Sequence, residues 1–350
     1  MAPLMLPATS EFQPDPPPIP WRNMAWITWR QHRLALAGAG TLFSVAALWM
    51  LVRGIQLHHA YAPIAACRPA GRDACKAMAD QFLNNYAPGT GATLGLLQVI
   101  PPLIGAFVGA PVLARELESG TFRYTWTQGF NRARWTVAKL ALLAVAVMVM
   151  AGLFSLLVSW YVSPLWGAGD NNGLLYPTLF DLRGVALMAW TLAALAIGAL
   201  AGFLIRRVVA AMFATFAVWA GLAFATAAFL RRHYQAPIVT TNPNVDLRQT
   251  WLISQIWAQH GKLANLSMIN QTLHPIDVQA LTPRQFQPGP ATPPSVDPIH
   301  YLVQHGYSLI TTYQPASRFW PFQSIESSWL LLLSLILIGT VVWLVRRRVS

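Results

Sequence analysis

Charged side chains make up only 10% of this 350-residue chain, against about 25% in soluble domains. So low a share excludes an ordinary water-exposed globule. Catalytic and nucleotide-binding signatures are missing too. No G-x-x-x-x-G-K-[ST] segment occurs, which excludes ATP binding by a P-loop on this chain. GTGATLG at 89–95 fails the G-x-G-x-x-G spacing and follows no strand pattern. H-E-x-x-H and G-x-S-x-G are absent. His58-His59 has no third ligand to complete a metal set, and no cofactor is read from the sequence.

What the chain has in quantity is apolar length. Hydrophobic residues reach 55% and mean hydropathy is +0.43. Six runs, near 34–52, 92–113, 137–162, 184–205, 208–230 and 328–345, approach or exceed the roughly 20 residues that cross a bilayer. Lipid offers the backbone no hydrogen-bond partners, so these runs are predicted helices. All eight histidines lie outside them, which counts against axial haem ligation. No Asp, Glu or Lys is expected deep inside a span, where ion-coupled carriers need one. The first 33 residues are too polar and Pro-rich for a signal peptide, and 1–20 reads as a disordered tail before a domain at 21–350.

A net charge of +12 does not point to nucleic acid, because the basic residues gather at the ends of apolar runs. With the N-terminus inside, short inner segments hold Arg22, Arg30, Arg33, Arg115, Arg123, Arg132, Arg134, Lys139, Arg206, Arg207 and 346–348. Both termini are therefore predicted cytoplasmic. Cys67 and Cys75 both fall in the outer segment 53–91, where an even pair reads as a disulfide. Closing so short a loop adds about 2–3 kcal/mol. Two unpaired thiols are the other reading.

Several local features carry two readings each. WRNMAWITWRQHR at 21–33 suits a helix lying in the inner interface, or an extension of the first span. Pro101 and Pro102 mark a hinge or a static packing kink in the second span. Gly105-x-x-x-Gly109 and Gly198-x-x-x-Gly202 permit close helix approach without naming a partner. Arg206-Arg207 is expected to be the turn of a tight hairpin. The 231–327 segment is read as a large extracellular loop with a helix near 245–262, a Pro-rich connector at 283–298 and an aromatic belt at 313–327.

The segment 114–135, ARELESGTFRYTWTQGFNRARW, lies between two strongly apolar runs. Glu116 and Glu118 are two residues apart, so on a helix they point roughly 200° apart and cannot form a carboxylate dyad. Gly120 breaks the turn, Thr121 caps an amphipathic stretch over 121–128, and Gly129 ends it. A short charged elbow on the inner face results.

Ala114-Arg115-Glu116-Leu117-Glu118-x-Gly120-Thr121, then Trp126-Thr127-Gln128 and Arg132-x-Arg134-Trp135-x-x-x-Lys139, resembles actinobacterial ABC-type exporter permeases. TWRQHR at 28–33, GALAGFLIRR at 198–207 and RFWPFQSIE at 318–326 extend the resemblance over 21–350. VVAAM at 208–212 departs from it where a proline is expected. The resemblance implies an all-α integral membrane protein with six transmembrane helices, working as a non-catalytic permease in the cell membrane. It implies two partners, an ABC ATPase subunit and a second permease copy, alongside membrane lipid. The elbow would then be the ATPase-coupling interface, built from Arg115, Glu116, Glu118, Gly120, Thr121, Arg123, Thr127, Gln128 and Arg132. A solvated loop whose charges only set topology is the bland alternative. At the level of function the alternatives are a membrane-anchored sensor that binds a ligand through 231–327, and a membrane enzyme acting on lipid.

Overall fold

The computed structural model describes residues 21–67, 73–119, 132–169, 175–273 save 244, 246 and 248, and 298–347. The tail 1–20, the centre of the elbow at 120–131 and all but the last residue of the Pro-rich connector lie outside these. Among the described residues six helical stretches are long and apolar enough to cross a membrane: Trp29–Ala66, Ala74–Glu118, Ala133–Gly167, Gly184–Ile205, Val208–His233 and Ala316–Arg347. The chain is therefore a predominantly helical, multi-pass membrane protein.

Most spans run longer than the apolar windows that announce them. Helix α1 (Trp21–Ala66) is continuous, and no proline interrupts it before Pro63. Residues 21–33 thus extend the first span. A second helix, α2 (Asp73–Leu97), comes next. Cys67 and Cys75 join across the connection, with Cα atoms 5.9 Å apart.

The second span breaks at Gln98 and Val99, whose amides donate to Gly95 and Leu96 carbonyls at 3.3 and 3.2 Å. It resumes as α3 (Ile100–Ile104), with Pro101 and Pro102 in the first turn. A missing amide costs nothing there, because the first turn of a helix has no carbonyl to reach. A π-helical turn (Gly105–Gly109) and α4 (Ala110–Ser119) complete the span.

The third span is α5 (Arg132–Gly167), which packs along α1. A short helix, α6 (Pro177–Phe180), precedes the fourth span. Gln98 Nε2 donates to the Thr178 carbonyl at 2.7 Å, fixing the break in the second span to α6. Helix α7 (Gly184–Ile205) is central, with 72% of its most apolar stretch buried, against 17% for the span holding α8 (Val208–Ala225). Arg206 in the left-handed conformation and Arg207 form the two-residue turn between α7 and α8. The two small-residue pairs meet each other. A Cβ on Gly105 would lie 2.5 Å from the Ala194 carbonyl oxygen, and one on Gly109 would lie 2.7 Å from that of Leu195. Glycine lets the π turn touch the backbone of α7.

The 231–327 segment departs from the expected helix. Trp251–Gln259 is strand β2, preceded by β1 (Ile238–Thr240) and followed by β3 (Lys262–Leu263) and β4 (Tyr307–Gln314). They form one antiparallel sheet in the order β1-β4-β2-β3. Aromatic and β-branched residues (Trp251, Ile253, Ile256, Trp257) suit a strand. His260 and Gly261, both at positive φ, turn the β2–β3 hairpin as a primed turn requires. Helices α9 (Leu266–Leu273) and α10 (Pro298–Gln304) lie between β3 and β4 in the chain. The region read as an aromatic belt is the end of β4 and the start of the last helix, α11 (Phe319–Arg347).

Candidate functional site

Two polar constructions stand out, one at each end of the helical bundle. The first is where α4 runs into the elbow. Lys139 of α5 is buried, with its side chain 1% exposed, and its Nζ lies 2.5 Å from Glu116 Oε1. The same ammonium donates to the Val112 carbonyl at 3.1 Å. A buried ammonium is costly unless paired and hydrogen-bonded, and α4 supplies both partners. Glu118 turns the other way. Its Oε2 accepts the Val208 amide at 3.0 Å, at the start of α8, where Arg207 provides no side-chain cap. A carboxylate there satisfies an orphan donor and favours the positive end of the helix dipole.

The two carboxylates therefore diverge, as helical spacing demands, and tie the end of α4 to α5 and to α8. Both are engaged within the chain. Arg115 is exposed beside them, and Arg132 opens α5. Gly120, Thr121, Arg123, Thr127 and Gln128 lie outside the described residues.

The second construction joins residues far apart in sequence. Arg231 and Glu326 are fully buried, and the arginine grips the carboxylate through Nε and Nη2 at 3.0 and 2.8 Å. Nη2 also donates to Asp181. Trp190 Nε1 and the Tyr234 hydroxyl donate to Glu326 at 2.9 and 3.1 Å, and Trp329 Nε1 donates to Tyr234 at 3.0 Å. The guanidinium lies over the Phe180 ring at 4.4 Å. One turn earlier on α11, Gln323 accepts the Ala186 amide at 2.8 Å and donates to the Phe180 and Arg183 carbonyls, each at 3.1 Å.

This network fastens the ends of α7, the fifth span and α11 to the 175–184 connection. Burial raises the Asp181 carboxyl to about 7; Arg231 opposes the rise and the charge on Glu326 adds to it. Burial and the nearby Glu326 likewise push the Tyr234 phenol up. The sixth spanning stretch begins at Ala316 and so contains Glu326 toward its start, as the second and third contain Glu116, Glu118 and Lys139 toward their ends. A span starting at 328 leaves the carboxylate in the loop. The motif RFWPFQSIE contains both Gln323 and Glu326, so a signal existed, but nothing in it named Arg231 or Asp181 as partners.

No curated protein and no solved structure matches the chain. A family described as ABC-2 membrane transporter related matches residues 40–231. That match runs from within the first span to near the end of the fifth and includes Glu116, Glu118 and Lys139. With six membrane-competent helices among the described residues, this chain belongs to the ABC-2 membrane transporter related family, as a membrane permease subunit of an ABC transporter.

Proposed function

We propose that the chain is the permease of an ATP-driven exporter, docking a separate ATPase subunit on the elbow at 114–135. The observation that carries this reading is the pair of ties at the end of α4. Glu116 to Lys139 and Glu118 to Val208 connect the elbow to α5 and α8. A push on 120–131 would reach three spans at once, which is what a rocking permease requires. In this reading Arg115, Arg123, Thr127, Gln128 and Arg132 meet the ATPase, while Glu116 and Glu118 hold the elbow's frame.

Both termini then face the cytoplasm of the cell, and the Cys67–Cys75 connection and the β-sheet lie outside. The face of α8 carrying Val209, Phe213 and Phe224, which are 65%, 74% and 70% exposed, would meet a second permease copy. Affinity purification of the full chain from its native membrane tests the reading. A P-loop ATPase should accompany it, and Gly120→Pro should reduce ATP-dependent transport while the permease remains folded. Purification without any such ATPase, or unchanged transport in Gly120→Pro, overturns it.

A further inference from the structure

A cavity of about 990 Å³ opens between α1 and the second span, with Lys139 at its polar end. That volume is at the upper limit of ordinary small-ligand sites, about 300–1,000 Å³. Its walls are apolar, formed by Ala35, Gly38 and Leu42 of α1 facing Leu103, Phe107 and Val108. Leu34 and Phe107, at 81% and 60% exposure, flank its mouth, so the opening is onto an apolar surface rather than into the bundle core.

The polar end has a different chemistry. His32, Arg115, Glu116 and Lys139 converge there, three basic side-chain types and one carboxylate. An ammonium has three donors, and Lys139 uses two, on Glu116 and on the Val112 carbonyl. His32 Nε2 is buried without a hydrogen-bond partner. Buried polar atoms are nearly always satisfied, so such an atom beside a cavity points to an occupant with an acceptor or donor of its own. A basic, hydrogen-bonding end joined to a long apolar trough fits an anionic headgroup carrying an acyl chain.

We propose that this cavity holds one anionic phospholipid, its acyl chain between α1 and the second span and its phosphate at Lys139 and His32. The lipid is a resident part of the permease and not its cargo, and the leaflet it comes from, the one beside the elbow, rests on the permease reading. Bound there, it fills the space between α1 and α4 and shields the Lys139–Glu116 pair from the membrane.

The test uses the full chain in nanodiscs of equal phosphatidylglycerol and phosphatidylcholine, re-extracted in mild detergent, with retained lipid counted by native mass spectrometry. Wild type should keep one phosphatidylglycerol per chain, favoured over phosphatidylcholine by about fivefold or more, as a basic residue near a headgroup provides. Nothing lies within 4 Å of a Cβ placed on Gly38, so Gly38→Trp should fold, occupy the trough and retain no lipid. His32→Phe should keep a lipid but lose the preference for phosphatidylglycerol, with Lys139→Gln behaving alike. Because Lys139→Gln also deprives Glu116 of its partner, His32→Phe is the deciding headgroup variant. Wild type retaining no lipid or both lipids equally, or Gly38→Trp retaining it undiminished, overturns the proposal. Release of the lipid when ATP is added to a permease–ATPase complex overturns its resident role. Lack of a co-purifying ATPase would sink the permease reading alone and leave the retention result standing.

Discussion

Arg231 and Glu326 are 95 residues apart in sequence and meet as a two-pronged, fully buried ion pair, at 3.0 and 2.8 Å. Two further donors, Trp190 and Tyr234, complete the carboxylate's hydrogen bonds. A pair so satisfied holds one arrangement of the fifth and sixth spans against the 175–184 connection. Its worth lies in what happens when it is broken. Glu326→Ala leaves the buried Arg231 guanidinium with Asp181 but without its two-pronged partner, and breaking a buried pair costs about 3–5 kcal/mol. The melting temperature of the purified protein, read by tryptophan fluorescence, should fall sharply for Glu326→Ala. The double variant Arg231→Met with Glu326→Met should recover part of the loss, since the carboxyl that then lacks its partner, Asp181, is already raised to about 7 and can hold its own proton.

Asp181 shares that network and predicts a pH dependence. Its carboxyl is raised from 3.8 to about 7, first by burial. The folded state therefore holds a proton that the unfolded chain releases between those values. Stability should decline as pH rises from about 4 through 7, because the native state binds more protons over that window. Arg231 and Glu326 are the charged groups that act on it. Melting temperatures measured between pH 5 and 8 should fall with pH in wild type, and Asp181→Asn should flatten that slope. An unaltered slope in Asp181→Asn would show that another group carries it.

The six spans are legible in the sequence because hydropathy summed over about 20 residues tolerates local irregularity. Span ends are not. Hydropathy is low where FQSIES enters α11, and Glu326 is buried among Arg231, Trp190 and Tyr234, brought in from remote positions. The β2 strand reads as a helix, since WLISQIWAQH carries apolar residues at spacings that suit both periods. Its identity is fixed by pairing with β4, where Trp257 faces Leu309 across a partner more than 50 residues away in sequence. At the elbow, the divergence of Glu116 and Glu118 comes from helical spacing alone. Their partners, Lys139 and the Val208 amide, depend on how α5 and α8 pack.

Glycines should divide into two classes by substitution. Gly105 sits against the Ala194 carbonyl, where a Cβ would come within 2.5 Å of the oxygen. Gly105→Ala must push the π turn off α7, and overpacking of this kind costs about 1–3 kcal/mol. Gly339 in α11 has nothing within 4 Å, so Gly339→Ala should be neutral or stabilise by about 0.5–1 kcal/mol through helix propensity. Paired melting curves of the two variants check this, and equal effects would contradict the close approach of the second span to α7.

Glu118 offers the sharpest test of how the elbow is framed. Its carboxylate accepts the first amide of α8 across 90 residues of sequence, and losing such a capping acceptor costs about 0.5–2 kcal/mol. Glu118→Ala should therefore destabilise modestly, yet cut transport per ATP hydrolysed far more, because the elbow would move without drawing α8. Glu118→Gln keeps an acceptor oxygen at the same reach and should retain most of the coupling. Measured side by side in the permease–ATPase complex, the two variants separate a mechanical tie from a charge that meets the ATPase directly. If Glu118→Gln fails as badly as Glu118→Ala, the negative charge itself is what matters, and the tie to Val208 is incidental.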